Sequence, residues 1–525
     1  MEKNRTWLYA LLGFVIGALT VVLGVTIAGN MKQRVTEAKW QKLNFILQQV
    51  EANYVDTIDR KAVTDAAISA ALQKLDPHSQ YMLPEPLKEA DESLAGGFEG
   101  VGLQFNVPND TAVVIDVIAG GPSEKAGLLG GDRILKVNDR TIAGNKTPQD
   151  TMVHLMRGPK GTKVTLTIGR GKEKIPFEII RDKIPEHCIA TSFMIDDTTG
   201  YVRLSKFSRT TTMEFLEASL ALKEKGMTSL VFDLRANSGG YFDQAANLAN
   251  LFLPKDAMIV YMQGLHRRKE ETLANGKGCF QDLGLSVLID DGSASASEIF
   301  AGAMQDNDRG LIVGRRSYGK GLVQEPIYFT DGSGIRLTVS RFYTPSGRCI
   351  QKPYADDYAY DVYNRYISGE MVSADSIKVD STQIYKTVKG RTVYGGGGII
   401  PDVFVPIDTT KATKFHIACN NKAVIVRYAS AFLDSHREKL LPISDFQTLD
   451  TYLKGCNLEA GFLAYAASLG IRPSSSGEWA ESKPFIMPQV MGLCGRYSKV
   501  GEEAYFRYIM PIDTIIQAAL GNEAQ

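Results

Sequence analysis

The chain has little cysteine, no paired cysteine motif and no surplus of either charge. Its six cysteines (Cys188, Cys279, Cys349, Cys419, Cys456, Cys494) stand far apart, with no Cys-x-x-Cys pair and no histidine at ligand spacing, which argues against a zinc site. Lys and Arg number 59 and so do Asp and Glu, giving a formal net charge of zero. With no long basic run either, no global field draws the chain to nucleic acid or to acidic surfaces. The Gly319-Lys320-Gly321 turn lacks the spacing of a phosphate-binding P-loop, and no nucleotide or coenzyme A motif is present. No metal and no organic cofactor is expected.

What is present first is length, since 525 residues correspond to roughly three to five domains of ordinary size. Lys3 and Arg5 precede Trp7 to Gly29, an uncharged, largely apolar stretch of 23 residues, followed by Lys32 and Arg34. A cleaved signal peptide usually has an apolar core of only about 7–15 residues, and Thr26-Ile27-Ala28 makes a poor cleavage site. Residues 1–34 are therefore expected to be a cytoplasmic tail and uncleaved single-pass anchor in the inner (cytoplasmic) membrane. The remainder would be exported to the periplasm or cell envelope. Export would permit disulfides, most readily among Cys419, Cys456 and Cys494.

Residues 35–95 read as a helical region. Leu43, Ile46, Leu47 and Val50 recur at helical spacing, as do Val63, Ala67, Ile68, Ala71 and Leu72. The turn Leu75-Asp76-Pro77-His78-Ser79 stops it, and His78 beside a proline reads as structural. From Gly96 the pattern becomes glycine-punctuated β. Gly100-Val101-Gly102-Leu103, the Pro122 to Gly127 segment, and Gly131-Asp132 leading into Val137-Asn138 resemble, in that order, a PDZ domain of the bacterial type, here residues 96–185. In such domains an exposed strand edge and the glycine turn before it capture an extended peptide, whose terminal carboxylate sits on backbone N–H groups. That assigns peptide binding to Gly100, Val101, Gly102 and Leu103.

Strands and helices alternate from Ile189 to about Val323, the rhythm of an α/β sheet with both faces covered. Ser229 to Asp233 is a buried strand running into the polar turn Leu234-Arg235-Ala236-Asn237-Ser238-Gly239-Gly240. That turn either starts a helix or offers a backbone N–H to an oxyanion. Leu285 to Ile289 reads as a further strand, and Glu298 to Met304 as a helix, so Ser293, Ser295 and Ser297 lie at a strand-to-helix turn. There a serine either caps the helix or presents its hydroxyl beside free N–H groups. Lys320 follows Ser295 by 25 residues between two glycines. A serine needs a base, and a lysine serves once burial lowers its pKa from about 10.4 towards roughly 7–8.

Taken in order, Asn53-Tyr54-Val55-Asp56, Leu75 to Ser79, the PDZ segment, Asp233 to Gly240, Gly292 to Glu298, Gly319 to Gln324, Tyr343 to Gly347 and Gly398 to Asp402 closely resemble the C-terminal processing peptidases, also called tail-specific proteases. The resemblance spans about residues 40 to 405. It implies a multidomain α+β fold: the N-terminal helical region, the PDZ domain, and an α/β ClpP/crotonase-like peptidase core over residues 186–409. It further implies Ser295 as nucleophile, its spacing to the lysine choosing it over Ser293 and Ser297. Lys320 would be the general base, Gln324 would orient the lysine, Ala296 and Gly239 would be oxyanion donors, and Asp306 would support the site. The substrate would be a protein held by its C-terminal carboxylate, with the PDZ domain as a movable gate.

Residues 351–394 read as a polar surface insertion, and residues 410–525 as a helical accessory domain for substrate delivery, an adaptor or homo-oligomer contacts. Two other readings are a non-catalytic membrane-tethered PDZ scaffold and a crotonase-like acyl hydrolase. The intact Ser295, Lys320 and Gln324 disfavour the first. The PDZ segment and the absence of a coenzyme A motif disfavour the second.

Overall fold

Strand Gly284–Ile289 lies inside a six-stranded sheet, ordered Ile189–Met194, Thr199–Leu204, Ser229–Asp233, Gly284–Ile289, Leu311–Gly314, Val403–Phe404. All neighbours are parallel except the first pair. The computed structural model describes residues 17, 19, 20, 41–118, 120–354, 358–408 and 412–522. Successive strand residues point to opposite faces. Phe232 and Val287 therefore join one core with Phe215, Phe252, Phe280 and Phe300, while Val231 and Leu288 join another on the reverse face. The carboxyl ends of the two inner strands open into the Asp233 to Gly240 and Asp290 to Ser295 turns, where groups on such sheets converge.

Residues up to Leu75 form a unit of their own, with residues 41–53 helical and helix Arg60–Gln73 started by Asp59, whose carboxylate accepts from Ala62 N–H at 3.1 Å. The helical region expected over 35–95 is thus divided, because helix Pro84–Leu94 belongs to the second unit, Asp76–Gln525. Apart from residues 17, 19 and 20, the expected anchor lies outside the described residues. Among the described residues no helix is long and apolar enough to cross a membrane.

The expected PDZ domain is a sheet ordered Leu103–Asn106, Ala112–Val117, Arg133–Val137, Lys163–Arg170, Glu173–Ile180, with helix Gln149–Met156 packed on it through Met152 and Met156. Its two chain ends pair with each other, Gly97–Gly100 against Asp182–Pro185, as a two-stranded stem. Leu103–Asn106 pairs on one side only and so leaves an edge.

Residues 412–522 depart from a separate accessory domain. Helices between Lys414 and Ile509 enclose their own core around Phe432, Phe462, Leu449 and Ile486. The last helix, Thr514–Asn522, instead lays Ile515, Ile516 and Ala519 on Val231, Leu288 and Val313 of the main sheet. The reverse face of a parallel sheet must be covered, and this helix contributes to the cover. Helix Val424–Leu440 also grips the PDZ domain. Arg437 Nη1 donates to the buried Asp132 Oδ1 at 2.9 Å, and Arg133 forks onto Asp434 at 2.8 and 2.7 Å. Leu433 crowds Gly131, whose φ of +80° and lack of side chain allow that approach. Asp434→Asn combined with Arg437→Met is expected to loosen this grip. Limited proteolysis should then cut the Gly97–Gly100/Asp182–Pro185 stem several-fold faster, and an unchanged rate would show that the ion pairs do not restrain the domain.

All six cysteines are free thiols. The 351–394 segment is not simply a surface insertion. Gln351, Lys352, Tyr358, Arg365 and Glu370 are buried, and the segment folds back onto residues 316–321. Tyr360, Tyr363 and Tyr366 keep the exposure the sequence reading assigned to all of it.

Candidate functional site

Two turns at the sheet's carboxyl end are laced together. Ser293 Oγ donates to Leu234 O at 2.8 Å, Ala236 N–H to Asp290 Oδ1 at 2.8 Å, Ala294 N–H to Asn237 O at 3.0 Å, and Ser297 Oγ to Asn237 O at 2.8 Å. Ser293 and Ser297, the two serines set aside on spacing, are consumed in this lacing. Ser295 stands between them at φ 54° and ψ −111°, immediately before helix Ala296–Asp306. A non-glycine residue held at positive φ costs roughly 1–3 kcal/mol, strain of a kind that clusters at functional sites. Sharp strand-to-helix turns of this form expose a hydroxyl.

Beside it, Gly239 has no room for a side chain. A Cβ there would lie 2.8 Å from Ser295 Cβ and 2.9 Å from Ala296 N. Ala296 is fully buried, yet its N–H has no acceptor among the described residues, and leaving such a donor unpaired costs about 1–3 kcal/mol. Gly240 N–H is equally without an acceptor among them. The structure differs from the sequence reading at Gly239, whose N–H donates to Asn237 Oδ1 at 2.9 Å. The cause is local: an Asn side chain reaches the backbone two residues on, and Asn237 is itself fixed by Nδ2 donating to Leu204 O.

Lys320 is half-buried, and its Nζ donates to Gln324 Oε1 at 3.1 Å. Gln324 Nε2 in turn donates to His78 O at 2.7 Å. A carbonyl only accepts, so this bond fixes which end of the amide faces the lysine. Burial pushes the Lys320 amine below its usual range, with Arg336 adding to the effect. No hydrogen bond joins Lys320 Nζ to Ser295 Oγ in this structure.

The His78 turn is held by Asp76, which accepts from His78 N–H, Ser79 N–H and Ser79 Oγ, each at 2.7 Å. Burial, reinforced by Lys320, lowers the His78 imidazole to about 4, so it is neutral at pH 7. His78 Nε2 meets Tyr358 Oη at 2.5 Å. The sequence reading of His78 as structural thus acquires a definite place, with its carbonyl at the end of the Lys320–Gln324 chain.

Glu298 was not singled out from sequence, although a Glu three residues after a Ser at a helix start is a capping-box signature. Fully buried, it accepts from Ser295 N–H at 2.8 Å, Ser317 Oγ at 2.6 Å, Gly319 N–H at 2.7 Å and Lys320 N–H at 2.9 Å. One carboxylate therefore ties the serine turn to the lysine turn. Its burial outweighs those bonds and pushes its pKa up. From outside, Arg365 donates to Ser317 O and Tyr318 O, Gln351 Oε1 receives Gly321 N–H, and Lys352 N–H reaches Gly319 O. This return of the 351–394 segment involves contacts thirty or more residues apart in sequence, and no periodicity announces it.

Asp306 lies at the other end of the Ser295 helix, about 15 Å along its axis at 1.5 Å per residue. It accepts from Ser346 N–H and Oγ and from the buried Arg348, so it fastens the far end of the helix and does not line the serine turn. Gly100 to Leu103 fall in the PDZ domain at the start of its free edge. Val101 and Gly102 are buried, and their N–H groups have no acceptor among the described residues. Val101 O receives Ser123 N–H and Oγ, and Gly102 O receives Ile118 N–H, so this turn is held by its carbonyls while its amides stay open. Among the described residues no group of His, Cys, Asp and Glu is arranged to hold a metal ion.

Residues 198–360 match the family model for peptidase family S41, and residues 100–180 that for the PDZ domain. The chain is 34% identical over 342 residues to the carboxy-terminal processing protease CtpA of Bacillus subtilis (strain 168), covering 64% of this chain and 72% of the relative. It is 33% identical over 360 residues to a probable CtpA-like serine protease of Staphylococcus epidermidis (strain ATCC 12228), covering 66% and 72%. Among solved structures it is similar to a photosystem II D1 C-terminal processing protease, with 27% identity, 69% of this chain and 86% of that chain covered, and a TM-score of 0.38.

Proposed function

Because the chain belongs to peptidase family S41, as a serine-type carboxy-terminal processing protease with a PDZ domain, we propose that Ser295 and Lys320 are its nucleophile and general base. The observation that carries the assignment is Glu298, which ties Ser295 N–H and Lys320 N–H to the same carboxylate oxygen and so keeps the two turns together. In the proposed reaction neutral Lys320 Nζ takes the Ser295 Oγ proton while Oγ bonds to the peptide carbonyl carbon. The oxyanion is received by Ala296 N–H, with Gly240 N–H as the second donor in place of Gly239. The lysine ammonium returns the proton to the leaving amine as the C–N bond breaks. Water, deprotonated by the same lysine, then releases the acyl group.

In the present arrangement Nζ rests on Gln324, so catalysis requires the lysine to turn towards Ser295 when substrate is engaged. Catalytic contacts are often loose before substrate binds. Gln324 orients the amine from the far side.

The substrate is proposed to be a protein captured by its C-terminal carboxylate on the Val101 and Gly102 amides, its last residues adding to the Leu103–Asn106 edge. The membrane anchor and export to the cell envelope belong to the same proposal and rest on the uncharged stretch Trp7 to Gly29. The test is a fluorophosphonate probe together with a pair of peptides, one with a free and one with an amidated C-terminus. Labelling at Ser295 and preference for the free carboxylate are expected. No labelling would return the scaffold reading, and equal cleavage of both peptides would remove carboxylate capture.

A further inference from the structure

The last helix of the chain reaches the site through one ion pair. Asp233, at the end of its strand, is fully buried and accepts from Tyr201 Oη at 2.6 Å, Arg203 Nη1 at 2.7 Å, and Arg235 Nε and Nη2 at 2.9 and 2.7 Å. Burial alone would push this carboxyl up, but Arg235, Arg203 and Tyr201 outweigh it and hold it at about 2. The free side of Arg235 is taken by Asp513. Arg235 Nη1 donates to Asp513 Oδ1 at 2.9 Å and Oδ2 at 2.7 Å. Asp513 also begins the helix Thr514–Asn522, its Oδ1 receiving Ile515 and Ile516 N–H at 3.1 and 3.2 Å. Ile515, Ile516 and Ala519 then anchor that helix on the sheet.

Arg235 is the second residue of the turn that ends in Gly239 and Gly240, and Arg203 Nη2 holds its carbonyl at 3.1 Å. The next residue, Ala236, is at φ 57°, a conformation that persists only when its surroundings impose it. Ala236 and Asn237 are in turn laced to the Ser295 turn. A displacement of Arg235 is therefore passed both to Gly240 N–H and to Ser295. Resting on the assignment of Ser295 and the Ala296/Gly240 donors above, we propose that Asp513 is a positioning residue for the peptidase reaction: through Arg235 it holds the oxyanion turn in register with the Ser295 turn, which makes the C-terminal helix part of the working site.

The variants separate this role from capping. Asn is about as good a helix N-cap as Asp, and Ser is close to it, so Asp513→Asn and Asp513→Ser keep the helix start while removing the charged fork for Arg235. Small misplacements of a reacting geometry cost up to about 100-fold, so both variants of the full chain are expected to lose roughly 10-fold or more in kcat, with KM for a free-carboxylate peptide within about two-fold of wild type. The rate of acylation by the fluorophosphonate should fall in parallel. Leu449→Ala, which loosens the separate core of the helices between Lys414 and Ile509 without touching the ion pair, should lower the melting temperature and leave kcat within about two-fold.

Wild-type kcat in Asp513→Asn overturns the proposal, as does an equal kcat loss in Leu449→Ala. If Asp513→Asn does not fold, Asp513→Ser decides by the same criterion. Failure of the wild-type chain to label at Ser295 would defeat the assignment of the nucleophile, whereas a labelled wild type with an unaffected Asp513→Asn defeats only the role given to Asp513.

Discussion

Lys320→Ala is expected to lower kcat for peptide cleavage by about 10⁴-fold or more while leaving binding of a free-carboxylate peptide to the PDZ domain unchanged. Among the described residues no other group is free to serve as base for the proposed nucleophile. Glu298 accepts hydrogen bonds from backbone N–H groups of both turns and from Ser317, the His78 imidazole faces Tyr358, and the Gln324 amide cannot take a proton. The lysine also sets the pH dependence. Burial lowers the lysine below its ordinary value near 10.5, so the amine is neutral above that lowered value and charged below it, and kcat must fall as pH drops through it.

The sign for stability runs the same way. Between the lowered folded value and the unfolded one, the unfolded chain binds a proton that the folded chain does not, so stability rises with pH across that window and is lost as pH falls. Lys320→Met should flatten this dependence as well as abolish turnover. Steady-state kinetics, a peptide-binding titration and denaturant unfolding at several pH values check all three outcomes. Turnover by Lys320→Ala within about 10-fold of wild type would sink the assignment of the base.

Glu298→Gln is expected to damage fold and function together. Its Oε2 accepts from both Ser295 N–H and Lys320 N–H, and its Oε1 from Ser317 Oγ and Gly319 N–H. An amide has one accepting end and one donating end, so two of these donors would face an NH₂ group in a fully buried position. The cost should be on the order of 2–4 kcal/mol of stability, with kcat down about 100-fold as the two turns separate. Glu298 also has a raised pKa, so its charged form is disfavoured by folding. The stability it contributes when protonated is present below the unfolded value and is lost as pH rises through the folded one. Glu298→Gln should remove that dependence. Unfolding midpoints and kcat measured on the same preparations test the point, and a variant that retains wild-type kcat would show that the carboxylate does not hold the turns together.

Much of this was legible without coordinates because it is written in short range. The short, mostly apolar runs at Ser229 to Asp233 and Leu285 to Ile289 mark buried strands. The glycines at 239, 240, 319 and 321 mark tight turns, and the family resemblance singles out Ser295 and Lys320. The turn residues missed were those whose role depends on where a side chain points. Asn237 reads equally as a helix start, yet its Oδ1 takes the very N–H expected of Gly239. Glu298 carried a capping signature, but that it also reaches Gly319 and Lys320 depends on two turns 20 residues apart being folded together. His78 was readable only as a residue in a proline turn, since its contribution is a carbonyl and carbonyls carry no sequence signal.

The sequence by itself determined the main elements, their order and the glycine turns that carry Ser295 and Lys320, because each rests on periodicity or on backbone freedom within a few residues. The tertiary structure alone decided that 351–394 closes over the lysine turn, that the helix Thr514–Asn522 covers the main sheet, and that Asp513 meets Arg235. Those contacts join residues from tens to nearly three hundred positions apart. Apart from the apolar Ile515, Ile516 and Ala519, the partners are common surface-type residues whose charge and polarity fit solvent equally well, so only burial, which the whole fold creates, tells them apart from an exposed Tyr, Arg or Asp.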